Sequence, residues 1–358
     1  PLSHMSLPLI GLGECMYQGK RLDTLVAFKQ AGIKPIEALE AKEGLCLING
    51  TQAMTSIGAI TLYDGLRLSK LANVSLSLTM ESLRSIIDAF DDRIQQVRGQ
   101  IGQIESAKRV RTHLVGSSLI THQGDIRVQD AYSIRCAPQV HGATLDALEF
   151  IREKVEIEMN AVTDNPIIFS EDDIAISAGN FHGQPLALPF DYLGIALSEL
   201  ANISERRIER MVNPQLSEGL PAFLVTKPGI NSGFMIVQYS AASLVSENKV
   251  LSHPASVDSI PSSANQEDHV SMGTIGARKA HSILENTRKV IAMEFLTGCQ
   301  AVDFHPHKTL GQDTIKAYNK IREVVPFIDH DVIMYHHIHR VEQLIIDGSL
   351  YNAIFKED

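Results

Sequence analysis

The sequence predicts an all-α fold, a long central helical bundle with long polar loops, and three observations carry that prediction. Apolar residues recur at steps of three and four over long stretches, the spacing of one helix face. Prolines gather in the connections between those stretches, where they stop helices. Alternating strand patterns are few and short.

In chain order, residues 50–73, 75–91, 93–112 and 142–160 read as helices of the first half. Between 191 and 213, Leu193, Leu197, Leu200, Ala201, Ser204 and Ile208 form one apolar stripe. Over 231–252 the stripe is Phe234, Val237, Ala241, Leu244 and Leu251, and over 269–298 it is Val270, Ala277, Leu284, Ile291 and Phe295. Pro214, Pro221 and Pro228 fill the first connection of this half, Pro254 and Pro261 the second. Long helices with long connections make a bundle. With no repeat of fixed period and no linker, the expectation is a single helical domain over 1–358.

Composition narrows the classes of function. With 44% hydrophobic and 21% charged residues in 358, the chain has ordinary globular usage, which excludes a disordered chain. Thirty-two Lys+Arg against 42 Asp+Glu give a formal charge of −10. A chain so acidic, without a basic stripe, is expected to bind neither nucleic acid nor an anionic membrane. Two uncharged runs, 44–63 and 228–246, approach bilayer-spanning length. Asn49, Thr51 and Gln52 in one, and Asn231, Ser232 and Gln238 in the other, mark them as buried segments of a protein core. Cys15, Cys46, Cys136 and Cys299 lie too far apart for a disulfide framework or a Cys-x-x-Cys metal site. Reduced thiols in a cytoplasmic protein are the expectation.

The loops 116–141, 163–189 and 252–268 hold the candidates for chemistry, since long loops in a compact domain are commonly functional. Gln129, Tyr132 and Arg135 put an amide, a phenol and a guanidinium within seven residues. Arg is a bidentate partner for a carboxylate, and a Tyr hydroxyl can move a proton. The ordinary alternative is a structural loop holding an Arg–Asp pair. Ala178-Gly179-Asn180-Phe181-His182-Gly183 brackets an aromatic with glycines that admit close backbone approach, or is simply a tight turn. Ser263-Ala264-Asn265-Gln266-Glu267-Asp268-His269 concentrates amides and carboxylates where a helix is expected to begin, so it could equally be an acidic helix cap.

Taken in order with Asn49-Gly50-Thr51-Gln52, these clusters resemble the ammonia-lyases that act on aromatic amino acids, most closely their histidine-specific branch. Glu40-Ala41-Lys42-Glu43-Gly44-Leu45, Thr163-Asp164-Asn165-Pro166 and the stretch from Asn265 to Gly273 are similar to that family as well. The resemblance covers 1–304 as a lyase core and leaves 305–358 as C-terminal helices. In the family, Pro1-Leu2-Ser3-His4 would follow closely on an Ala-Ser-Gly tripeptide that cyclises to a 4-methylidene-imidazol-5-one. That tripeptide does not occur in the sequence, so the resemblance implies the C-terminal part of a larger lyase chain.

The resemblance also implies roles. Elimination of ammonia needs an electron sink that no ordinary side chain supplies. Tyr132 would assist proton transfer at the reacting carbon, and Arg135 would clamp the substrate carboxylate. Asn49 would bond both substrate and prosthetic group, Gln129 would contact the prosthetic group, and Phe181 would pack beside that group and the substrate ring. Glu267, supported by Gln266, would bond an imidazole, which a carboxylate stabilises in its cationic form and a phenyl ring cannot use. L-histidine as substrate, urocanate as product, and a homotetramer with sites shared between subunits are the implied partners; no metal is expected. The rivals are a phenylalanine or tyrosine lyase or aminomutase of the same family, and a non-catalytic helical scaffold.

Two charged features take an ordinary reading. Arg206, Arg207 and Arg210 beside Glu205 and Glu209 suggest a solvated or subunit-facing helix surface, because mixed charges on a helix usually pair locally. His336, His337 and His339, with His305 and His307, lack the neighbouring cysteines or paired carboxylates of a metal site. Gly116-Ser117-Ser118 is similar to the start of the fumarase-like signature loop, but the Met-Pro and Lys-Asn that should follow are missing.

Overall fold

A computed structural model describes residues 2–355; Pro1, the first residue of the opening motif, and the last three residues of the C-terminal segment lie outside it. The chain starts with α1 (Leu2–Ser6) and an antiparallel hairpin of β1 (Glu14–Tyr17) and β2 (Lys20–Asp23). Asp23 then caps α2 (Thr24–Ala31), its carboxylate accepting from the Leu25 N–H at 3.0 Å. After α3 (Glu43–Cys46) come the long elements: α4 (Gln52–Ser82), α5 (Asp92–Arg98), α6 (Ile101–His113), α7 (Tyr132–Arg135) and α8 (Ala137–Met159). A second small hairpin, β3 (Ile167–Phe169) with β4 (Ile174–Ile176), precedes α9 (Gln184–Val212), α10 (Met235–Leu251) and α11 (Gly273–Val302). Three helices finish the chain: α12 (Thr314–Arg322), α13 (Met334–Ile346) and α14 (Ser349–Ile354).

The all-α expectation holds, and side-chain bonds give the directions of the helices. Near their starts, α4, α9 and α11 meet around Met54, which lies where a side chain on Gly183 or Gly273 would go. Some twenty residues on, they meet again at Glu294 of α11, whose carboxylate accepts from Ser75 and Thr79 of α4 and from Ser204 and Arg207 of α9. These three helices are therefore parallel. α8 runs against them, with Thr51 bonded to Glu158 at one end (2.7 Å) and His141 to Asn73 at the other (3.2 Å). α10 also runs antiparallel, tied to α9 by Gln238–Glu205 (2.8 Å) and Ser252–Ser198 (2.7 Å).

Several expected boundaries move. No break separates 50–73 from 75–91; α4 runs through Val74 to Ser82, and its second half is buried on all sides. Its serines donate to carbonyls one turn back, Ser77 to Asn73 and Ser82 to Leu78, so a polar-apolar alternation still sits inside a helix. The single helix expected over 93–112 is two, α5 and α6, because Gly99 takes a left-handed conformation (φ 78°). α9 starts seven residues before 191 and contains Pro189. It is, among the described residues, the one helix long and apolar enough to cross a membrane, and 67% of that window is buried in the bundle. All six stripe residues expected on it are buried.

The arginine cluster needs a correction. Arg207 is not on a solvated surface: it is fully buried and pairs with fully buried Glu294 through Nε (2.5 Å) and Nη2 (2.9 Å). Arg206 keeps the expected local pairing, with Glu205. Of the histidines, His305 Nε2 donates to the Ser82 carbonyl (2.8 Å) and His339 faces Glu342 (3.2 Å). Among the described residues, no group of three or more His, Cys, Asp or Glu side chains could hold a metal ion.

Candidate active site

The expected site residues fall into two groups at opposite ends of the bundle. The first surrounds the start of α4. Asn49 sits in the turn between α3 and α4, and Gly50 presses that turn against the loop after α8. Its φ is 105°, and a Cβ there would stand 2.2 Å from the Thr163 carbonyl oxygen, so only glycine fits. The next residue of that loop, Asp164, gathers four donors: Lys42 Nζ (2.5 Å), Cys46 Sγ (3.0 Å), Asn49 Nδ2 (3.0 Å) and the Asn165 N–H (2.7 Å). Those hydrogen bonds, the thiol's first, hold the Asp164 carboxyl well below the usual carboxylate range, and the same bond raises the Cys46 thiol. With Nδ2 committed, the side-chain carbonyl of Asn49 is left without a partner among the described residues. Beside this cluster lies an open cavity of about 540 Å³ lined by Cys46, Thr51, Gln52, Glu158 and Asp164 among others.

The two other loops of this group join the same end. Asn165 Oδ1 accepts from the Ala178 N–H (2.8 Å) and the Ser177 hydroxyl (3.1 Å), which anchors the segment carrying half-buried Phe181. His182 then stacks on His269, their rings 5.4 Å apart and 18° from parallel, with His182 Nε2 3.2 Å from the His269 carbonyl. The Phe181 loop and the Glu267 loop are thereby joined. Glu267 and Gln266 are exposed. The Glu267 carboxylate accepts from the Ser262 hydroxyl (2.6 Å), and the hydroxyls of Ser262 and then Ser263 lower its pKa below the usual carboxylate value. This is not the acidic helix cap that the sequence allows, because α11 begins only at Gly273, with no acidic residue in its first turn. Ser263, Ala264 and Asn265 all have positive φ (51°, 55° and 68°), three strained residues in a row just before Gln266 and Glu267.

The second group lies beyond the far end of α4. Asp130 is buried and accepts from the Ile86 N–H (2.7 Å) and from Arg127 Nε (2.8 Å). On that anchor, Arg135 Nε donates to the Asp130 carbonyl (2.9 Å), and its guanidinium lies 4.5 Å above the Tyr132 ring. Among the described residues neither terminal nitrogen of Arg135 has a protein partner, Tyr132 is 70% exposed, and Gln129 is exposed as well. The Arg–Asp pair of this loop exists, but Arg127 makes it, which leaves Arg135 available for a carboxylate. From inside the bundle, Arg207 Nη1 reaches the Ser133 carbonyl (3.4 Å) and faces His141 Nε2 (3.3 Å). Burial, then the Arg207 charge, pushes His141 well below its ordinary range, so it is held neutral.

The 31 residues of α4 separate the two groups by roughly 45 Å at helical rise. One chain thus brings Asn49, Phe181, Gln266 and Glu267 to one end, Gln129, Tyr132 and Arg135 to the other, and does not join them. Neither Asp164 nor Lys42 has a role that the sequence alone reveals, although both stand in family-like segments, and Arg207 lies in the core rather than on the helix surface that its charged neighbours suggest.

Comparison with known proteins adds the following. The family model described as aromatic amino acid lyase matches residues 1–323. Histidine ammonia-lyase 1 of Fusobacterium nucleatum is 61% identical over 357 residues, 99% of this chain and 69% of the relative. The crystal structure of histidine ammonia-lyase from Trypanosoma cruzi superposes with a TM-score of 0.92 at 42% identity, over 99% of this chain and 67% of that one. Tyrosine aminomutase from Streptomyces globisporus gives 0.95 at 37% identity, over 99% and 71%.

Proposed function

The chain belongs to the aromatic amino acid lyase family, and from that premise we propose that it eliminates ammonia from L-histidine to give urocanate. The observation that carries the substrate is the 61% identity to a histidine ammonia-lyase over nearly the whole chain. Glu267 supports it, as an exposed carboxylate whose lowered pKa keeps it charged and able to bond an imidazole N–H.

In the reaction the bond from the α-carbon to nitrogen breaks, a proton leaves the β-carbon, and a carbon–carbon double bond forms. Arg135 offers two unpartnered guanidinium nitrogens to the substrate carboxylate. Tyr132 places its hydroxyl where the β-proton is moved. Glu267, supported by Gln266, fixes the imidazole and favours its cation, which drains electrons from the ring and eases loss of that proton.

The methylidene-imidazolone that the family uses supplies, when bound, the electron sink for this chemistry. Asn49 fits such a group, since Asp164 takes its amide N–H and leaves a carbonyl without a partner. In this reading Asn49, Gln129 and Phe181 hold the group, and Ala-Ser-Gly, which occurs nowhere in the 358 residues, is contributed from outside them.

A complete site also requires more than one copy of the chain, because a substrate cannot bridge ends roughly 45 Å apart. Large exposed apolar residues along the bundle, such as Ile60, Tyr63, Ile195, Tyr239 and Ile275, suit an assembly of copies, a homotetramer in this proposal. A cytoplasmic setting is in keeping with four free cysteines.

The test is to supply L-histidine, L-tyrosine and L-phenylalanine separately to the enzyme that carries the Ala-Ser-Gly segment and to follow urocanate and the aryl acrylates by absorbance. Urocanate from histidine is the expected product. Turnover of an aryl substrate alone would mean one of the related lyases or aminomutases, and turnover of none would mean a scaffold.

A further inference from the structure

One hydrogen bond behind Asn49 stands a carboxylate that ties the segment 42–49 to the loop after α8. Lys42 and Cys46 reach Asp164 Oδ2, while Asn49 Nδ2 and the Asn165 N–H reach Oδ1. The two halves of a side-chain amide have nearly the same shape and opposite hydrogen-bonding character. An ionised carboxylate only accepts, so it selects the NH₂ half of Asn49; the flipped amide would set oxygen against oxygen. Lys42, with a side chain 20% exposed beside a carboxylate 14% exposed, keeps Asp164 charged and so keeps that choice in force.

We propose that Asp164, backed by Lys42, is a positioning residue that fixes the Asn49 amide with its carbonyl presented to an N–H donor of the ligand. The proposal rests on the lyase reading above and deepens it. Asp164 acts on the ligand through Asn49 alone.

The test is a double-mutant cycle on the intact enzyme with Asn49→Ala, Asp164→Asn, Asp164→Glu and the Asn49→Ala/Asp164→Asn double variant. Each is measured for kcat and KM with histidine, for the dissociation constant of urocanate by equilibrium titration, and for thermal midpoint. Asp164→Asn should lower kcat/KM roughly 10- to 100-fold, the worth of a hydrogen bond to a charged group. Asp164→Glu should recover part of that loss. In the Asn49→Ala background, Asp164→Asn should change neither kcat/KM nor the urocanate constant further.

Equal losses in both backgrounds would show that Asp164 does not act through Asn49, and would overturn the proposal while the lyase reading stands. A lower thermal midpoint with kcat/KM unchanged would overturn it too, marking Asp164 as structural. An unaltered enzyme that releases no urocanate overturns the lyase reading and this proposal with it. Should Asp164→Asn not fold, Lys42→Met weakens the same carboxylate and runs the same cycle.

Discussion

Asn49 and Glu267 are each held by a neighbour rather than left to find their own orientation. For Glu267 the neighbours are two hydroxyls, first Ser262 and then Ser263, that lower the carboxyl pKa on an exposed loop. A carboxyl with a lowered pKa stays ionised further into acid, so removing a donor must raise that value and narrow the range. Ser262→Ala is therefore expected to move the acid limb of the kcat/KM profile for histidine to higher pH, with the alkaline limb unmoved. A limb that stays in place would mean that Glu267 does not set it. At this scale the sequence was readable where a motif names a side chain by its own chemistry, as with Arg135 or Glu267. It was not readable where a role comes from an encounter: Lys42 and Asp164 are 122 residues apart, and nothing local in either segment says that they meet. Arg207 is the sharper case. Mixed charges on a helix normally pair with each other, and only the register of α9 against α11 shows that its partner is Glu294.

The helices repeat this lesson one level up. The apolar stripe of α9 was legible because one face of that helix is buried and another is not. The second half of α4 was not, since a helix wrapped on all sides has no polar face to mark its period, and its serines satisfy themselves on carbonyls one turn back. Pro189 misled in the other direction: a proline early in a long packed helix costs one backbone bond, and α9 continues through it. Small residues decide how closely helices approach. At the crossing of α6 and α8, a Cβ on Gly142 would stand 2.3 Å from the Gln103 backbone nitrogen, and one on Gly102 would stand 2.1 Å from the Gly142 carbonyl oxygen. Gly142→Ala should force the two backbones apart and cost about 1–3 kcal/mol, despite alanine's better helix propensity. The measurement is the denaturant midpoint, and an unchanged or higher midpoint would contradict this packing.

Across the whole molecule, three parallel helices carry the candidate residues to both ends of one bundle. The loop of Gln129, Tyr132 and Arg135 rests on Asp130 and on the carbonyl that Arg207 reaches from the core. The turn of Asn49 and the loops of Phe181 and Glu267 rest on Asp164, Asn165 and the His182–His269 stack. Each half is built and neither is a site alone, so the account requires that different copies of the chain supply the two halves. The direct measurement co-expresses two differently tagged chains, one with Asn49→Ala and the other with Tyr132→Phe, and assays the doubly purified assemblies for urocanate release from histidine. Each variant alone should be nearly inert, while mixed assemblies regain activity at about a quarter of their sites, the share random pairing of copies gives. Mixed assemblies as inert as their parents, beside a fully active unaltered enzyme, would contradict the account.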